Sequence, residues 1–115
     1  MSVEFDYTQL DAITGGDEEF EREVLQEYLN SAPNDLGKLR EAIGKADAAA
    51  TSAAAHALKG ASATIGAKSF AAIALELEHA GKHNELANAP AALQRLCAEF
   101  VDLEVLLKAR IAKAA

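Results

Sequence analysis

Between its Gly and Pro breaks this chain spaces its apolar residues three and four positions apart, and nowhere does it alternate Val, Ile or Thr with polar residues. That periodicity confines it to an all-α fold. A short first helix is expected from about Asp6 to Ile13, stopped by Gly15-Gly16. Asp17 suits the N-cap of a second, with Glu18 and Glu19 set against the positive end of its dipole. Phe20, Val24, Leu25, Tyr28 and Leu29 keep helical spacing until Pro33, which is expected to break or kink the chain. Leu36, Leu39 and Ile43 then mark a third helix ending near Gly44. Asp47 can cap a fourth, from about Ala48 to Ile65, with Gly66 as its stop. A fifth carries Phe70, Ile73, Ala74 and Leu77 on one stripe and ends near Gly81. After a polar turn from Lys82 to Ala87, Asn88 and Pro90 open a last long helix. Leu93, Leu96, Cys97, Phe100, Leu107 and Ile111 share one of its faces.

Short links between long amphipathic helices favour antiparallel neighbours. The expected architecture is therefore an up-down four-helix bundle with one or two additional short helices at its end. A chain of 115 residues supports one core, so residues 1–115 read as a single domain. Heavy use of alanine suits this, because Ala favours helix and lets helix backbones approach closely. The net charge of -7 repels phosphate backbones and anionic lipid, which argues against nucleic acid and membrane partners. The single Cys97 excludes an internal disulfide and fits a reducing compartment. No basic segment followed by an apolar run opens the chain, and no stretch approaches the roughly 18 apolar residues of a membrane span. A cytoplasmic location is expected.

The fourth helix carries the chemistry. At about 100° per residue, Ala54, Leu58, Ala61 and Ile65 fall roughly 140° to 200° from His56 and form the expected core stripe. Ala49, Ser52, Ala53, Lys59, Gly60 and Ala63 fall within about 60° of it. The imidazole thus projects opposite the core from a nearly flat surface, where a helix facing solvent would ordinarily carry Glu and Lys. Another protein can approach such a surface closely. Gly60 costs about 1 kcal/mol in a helix interior, yet it replaces the alanine used almost everywhere else. It leaves open space one turn from the ring, while Lys59 lies on the other flank, within reach of an anion on His56. The wheel alone leaves open a plain alternative, in which Gly60 permits packing and Lys59 is solvated.

The run His56-Ala57-Leu58-Lys59-Gly60-Ala61-Ser62-Ala63-Thr64-Ile65-Gly66-Ala67 resembles the signature of histidine-containing phosphotransfer domains, His-x-Leu-Lys-Gly-x-Ser-x-x-x-Gly-Ala. Leu75-Glu76-Leu77-Glu78 is similar to the family's segment before the next turn, and Lys45-Ala46-Asp47 with the following alanines suits its lead-in. The resemblance extends from about Asp17 to the C-terminus. It implies that His56 accepts a phosphoryl group from an aspartyl-phosphate on one receiver domain and passes it to another, in two-component, bacterial-type phosphorelay signalling. By the same resemblance Lys59 steadies the phosphoryl oxygens and Gly60 provides clearance. Ala49, Ser52, Ala53 and Ala63 would then form the docking face.

Partners implied are response-regulator receiver domains, a hybrid histidine kinase among them. The chain itself would need no intrinsic cofactor, Mg²⁺ and the acceptor carboxylate being supplied by the receiver. Related domains place a Gln or Glu on the next helix against the histidine's second nitrogen, and Glu78 matches by position. A carboxylate accepting Nδ1–H would leave Nε2 free to attack. It would also favour the imidazolium, which is no nucleophile, and Glu78 reads equally as a solvated flank residue. The chain has no Gly-rich phosphate loop, so no autokinase activity is expected of this phosphocarrier.

Two rival readings carry less. His79 and His83 have the i, i+4 spacing of metal ligands, but Gly81 falls between them and no Cys or Asp completes a set, so no metal site is expected. A non-catalytic helical adaptor would have no need of His56, Lys59 and Gly60 together. Cys97 is expected to be a buried inert thiol, and Ser62 and Thr64 to serve the helix through packing or back-bonding.

Overall fold

An aspartate starts each of the first three helices. In the computed structural model, which describes residues 3–114, Asp6 precedes α1 (Tyr7–Thr14) and accepts the Gln9 N–H at 3.1 Å. Asp17 caps α2 (Glu18–Gly44) through the Phe20 N–H at 3.0 Å, and Asp47 caps α3 (Ala48–Ile65) through the Ala50 N–H at 3.0 Å. Each side chain satisfies a donor that the helix leaves unpaired. Helices α4 (Lys68–Lys82) and α5 (Ala89–Ala114) complete the chain. Among the described residues there is no strand, and the one β-type contact is an isolated bridge between Phe5 and Ala67. Met1, Ser2 and Ala115 of the expected 1–115 domain lie outside the described residues.

The four long helices form a closed ring of neighbours, α2 on α3, α3 on α4, α4 on α5 and α5 on α2, with α1 against α2 and α3. This is the helical bundle expected, with one short helix and not two. The difference lies at Pro33, where the expected break is absent: α2 runs unbroken for 27 residues. Pro33 is exposed, so the carbonyl it deprives of a partner can turn toward water. Tyr28, Ala32, Leu36 and Leu39 on the opposite face are all buried across it. Burying that face outweighs the roughly 3 kcal/mol that an interior proline costs.

The core stripe of α3 is also wider and rotated from the expected one. Leu58 and Ile65 are buried as read, but Ala54 and Ala61 are only half buried, and Thr51, Ala55 and Ser62 are buried instead. The reason is that α3 is flanked by α2 and α4 together, and two of its hydroxyls are satisfied internally. Thr51 Oγ1 donates to the Asp47 carbonyl at 2.8 Å, and Ser62 Oγ shares a 2.7 Å hydrogen bond with the Tyr28 hydroxyl. A hydroxyl with its partner built in is cheap to bury, and a reading based on apolarity passes over it.

Two further features fasten α1 to the bundle. The turn after α3 is closed by Gly66 at φ 98°, a left-handed conformation, and its carbonyl accepts the Asp6 N–H at 2.7 Å. An alanine there would drive its methyl into the Asp6 backbone as well as strain the turn. Beside the same α1 segment, Arg110 of α5 grips the buried Glu21 of α2 through Nε at 2.8 Å and Nη2 at 3.1 Å. The same guanidinium lies 5.1 Å from the centroid of the Tyr7 ring and 3.7 Å from Asp11, tying α1 into the joint.

Candidate functional site

The middle of α3 presents one exposed imidazole. The His56 side chain is 68% exposed, and its Nδ1 lies 2.8 Å from Glu78 Oε2 on α4. Glu78 is 10% exposed, and its other oxygen, Oε1, is 2.8 Å from Lys59 Nζ. One carboxylate therefore joins two residues of α3 that stand almost a turn apart. The Lys59 ammonium beside it, aided by the hydrogen bond from His56 and opposed by burial, holds the Glu78 carboxyl below its ordinary 4.5. At neutral pH it is ionised and can only accept. The hydrogen shared with His56 must then sit on Nδ1, which leaves the lone pair of a neutral ring on Nε2.

Lys59 also neutralises much of the charge that Glu78 would otherwise present. What the ring meets is a hydrogen-bond acceptor more than a net negative neighbour. The sequence placed Lys59 beside a phosphoryl position; in the structure its ammonium is turned inward and engaged by Glu78, with the side chain 28% exposed.

Around the ring the surface is low. A Cβ built at Gly60 would meet nothing within 4 Å, so its missing side chain leaves open space and not a helix contact. Ala49, Ala53 and Ala63 are exposed, whereas Ser52 is half buried at the edge where α4 crosses. The Gly60 carbonyl is taken by Thr64 Oγ1 at 2.8 Å, the back-bonding expected of that threonine.

The other singled-out residues lie apart from this cluster. His79 and His83 stack edge-on at 6.2 Å between ring centroids, and His83 Nδ1 donates to the His79 carbonyl at 3.2 Å. Cys97 departs from its expected burial: it is half exposed, with the Arg40 guanidinium 3.3 Å from Sγ, because it lies at the margin of the α5 stripe. No helix among the described residues is long and apolar enough to cross a membrane.

The Lys59–Glu78 contact was missed in the sequence, although a signal for it exists. His56 stands ten residues before Gly66 and Glu78 eleven after Ala67, so a tight antiparallel turn at Gly66–Ala67 sets them opposite one another. The same fold places Glu78 in reach of Lys59.

Comparison with known proteins bears on the fold and the family. The family model described as Hpt domain matches residues 23–112. Among solved structures the chain is similar to the crystal structure of histidine-containing phosphotransfer protein B (HptB) from Pseudomonas aeruginosa PAO1. The TM-score is 0.91 and the identity 26%, with 98% of each chain covered. No curated protein matches.

Proposed function

This chain belongs to the Hpt domain family of histidine phosphotransfer proteins, and from that premise we propose that His56 carries phosphoryl groups between receiver domains. The observation that supports this best is the exposed imidazole whose Nδ1 is held by Glu78, which leaves Nε2 as the nitrogen to react. In the proposed step the Nε2 lone pair attacks the phosphorus of a receiver's aspartyl-phosphate. The N–P bond forms as the P–O bond to the aspartyl carboxylate breaks, and that carboxylate leaves with the electron pair. The ring now carries phosphoryl on Nε2 and hydrogen on Nδ1, a cation that Glu78 stabilises. Attack by the carboxylate of a second receiver reverses these changes.

Positioning and charge stabilisation carry most of such a transfer. The receiver supplies Mg²⁺, and the chain needs no cofactor of its own. Lys59 has two anions to serve, Glu78 before phosphorylation and the phosphoryl oxygens after it. Ala49, Ala53 and Ala63, with Gly60 and the edge of Ser52, form the face on which a receiver docks, a hybrid histidine kinase's receiver among the candidates. Such a face is apolar at its centre and tuned by charges at its rim. The chain acts as a phosphocarrier in the cytoplasm and does not phosphorylate itself from ATP.

The test is incubation of the chain with a receiver charged by acetyl phosphate. Acid-labile, base-stable phosphate should appear on the chain and be absent from His56→Gln, whose helical content stays unchanged. Ala53→Glu or Ala63→Glu should weaken receiver binding far more than the same change at the exposed Ala91 of α5. Binding without phosphate transfer would point to an adaptor and overturn the reading.

A further inference from the structure

α4 ends at Lys82, near Gly81 as expected, and Gly81 is buried within its last turn. Gly81 does not occupy a left-handed conformation, so the conformational freedom of glycine is not what the position uses. What it uses is the missing side chain. A Cβ at Gly81 would stand 2.6 Å from the Ala48 carbonyl oxygen, 2.6 Å from the Ser52 nitrogen and 3.0 Å from Ser52 Cα. All three are backbone atoms of α3. No rotamer change can make room, so α3 and α4 touch there main chain to main chain.

This contact lies one layer from the site. Ser52 is one turn before His56 on α3, and Glu78 is one turn before Gly81 on the antiparallel α4. The separation of the two helices at Gly81 is therefore the separation that Glu78 must span to reach the ring. Ordinary van der Waals contact is about 3.5–4.0 Å, so a methyl at position 81 would push the helices apart by roughly 1 Å. The 2.8 Å contact between His56 Nδ1 and Glu78 Oε2 would then exceed hydrogen-bond length, unless the carboxylate left Lys59 to follow it.

We infer that Gly81 is a positioning residue: by admitting the α3 backbone it sets the helix spacing at which Glu78 holds His56 in its Nδ1–H tautomer. This deepens the phosphotransfer reading and rests on it for the effect on rate, but not for the effect on the ring. A glycine that serves packing alone would, when enlarged, cost stability and leave the imidazole of the folded fraction as it was.

The experiment compares wild type, Gly81→Ala, Glu78→Ala and the double variant of the full chain. Long-range ¹H–¹⁵N NMR reads the His56 tautomer, denaturant midpoints read stability, and transfer from an acetyl-phosphate-charged receiver reads rate. Wild type should show the Nδ1–H tautomer and Gly81→Ala a mixture, with transfer slowed several-fold and by no more than the roughly tenfold loss of Glu78→Ala. The double variant should transfer no more slowly than Glu78→Ala, because both changes remove the same contact. An unchanged tautomer in folded Gly81→Ala, or losses that multiply in the double variant, would overturn the inference.

If Gly81→Ala does not fold, Glu78→Asp decides. It withdraws the carboxylate by one methylene without touching the helix contact, so a retained Nδ1–H tautomer there would show that the spacing is not limiting. If wild type takes no phosphate at all, the phosphotransfer reading fails, while the tautomer comparison still judges Gly81.

Discussion

The bundle buries two helix-borne carboxylates that are gripped by cations, and they serve different purposes. Glu21 is met by the planar fork of Arg110, two hydrogen bonds from one rigid group, with Tyr7 against the guanidinium. Nothing in that joint is free to change partner, and it ties α1 and α2 to α5. Glu78 divides its two oxygens between a flexible ammonium and a ring that is 68% exposed. In the proposed transfer each partner has somewhere else to go: the lysine to a phosphoryl group, the imidazole to a bond at Nε2. Arg favours fixed bidentate geometry and Lys a mobile point charge, so the choice of cation separates the lock from the site.

The contrast is broken most sharply by exchanging the two readouts. His56→Gln should abolish phosphate uptake and leave the denaturant midpoint unchanged. Arg110→Ala should do the reverse, lowering stability by about 1–3 kcal/mol because a buried charged acceptor loses its donors. Transfer per folded molecule should stay at the wild-type rate. A loss of transfer in folded Arg110→Ala would mean that the two sites are coupled.

Glu78→Ala comes next, with transfer slowed about tenfold by a misoriented ring. Glu78→Gln should keep most of the rate, since its amide oxygen can still accept from Nδ1–H. Acid titration of the folded state gives the same residue a thermodynamic signature. Because folding holds the Glu78 carboxyl below its ordinary 4.5, its contribution to stability is present above that pH and is lost as pH falls through the lowered value. Thermal midpoints of wild type should therefore fall more steeply below about pH 4.5 than those of Glu78→Gln. Parallel curves would show that the carboxylate gains nothing from its partners.

Lys59→Ala should slow transfer only a few-fold, because Glu78 can still accept from Nδ1–H of His56 without it. Gly60→Ala should have the smallest effect on rate and an opposite effect on stability. With nothing within 4 Å of the added methyl, helix propensity should raise stability by about 0.5–1 kcal/mol. Transfer should slow, and slow further with Ser and Gln. Falling stability instead would make Gly60 a packing residue.

Gly60 and Gly81 mark what a sequence does and does not disclose. The wheel placed Gly60 on the face of His56, away from the core, because that geometry is internal to one helix. Gly81 reads in the sequence as a helix stop, since only the partner helix shows that its absent side chain is filled by the Ala48 and Ser52 backbone. The bundle and most helix ends were legible for the same local reason, aspartate caps and apolar spacing. Pro33 was misread because the buried face of α2 outweighs the local penalty, a balance that depends on Leu36 and Leu39 finding partners elsewhere. Thr51 and Ser62 were left out of the core because their hydroxyls are satisfied by partners, one of them on another helix. The signature singled out His56, Lys59 and Gly60 together. That Lys59 would face inward to Glu78 depended on the α3–α4 register.

The most direct measurement is to determine which ring nitrogen bears the phosphoryl group once a charged receiver has phosphorylated the chain. Two-dimensional ¹H–¹⁵N and ³¹P NMR of the histidine-labelled protein distinguishes the isomers and the residues. With Glu78 holding Nδ1–H, the phosphoryl should be found on Nε2 of His56. Phosphate on Nδ1 of His56, or on His79 or His83, would contradict the geometry on which the account rests.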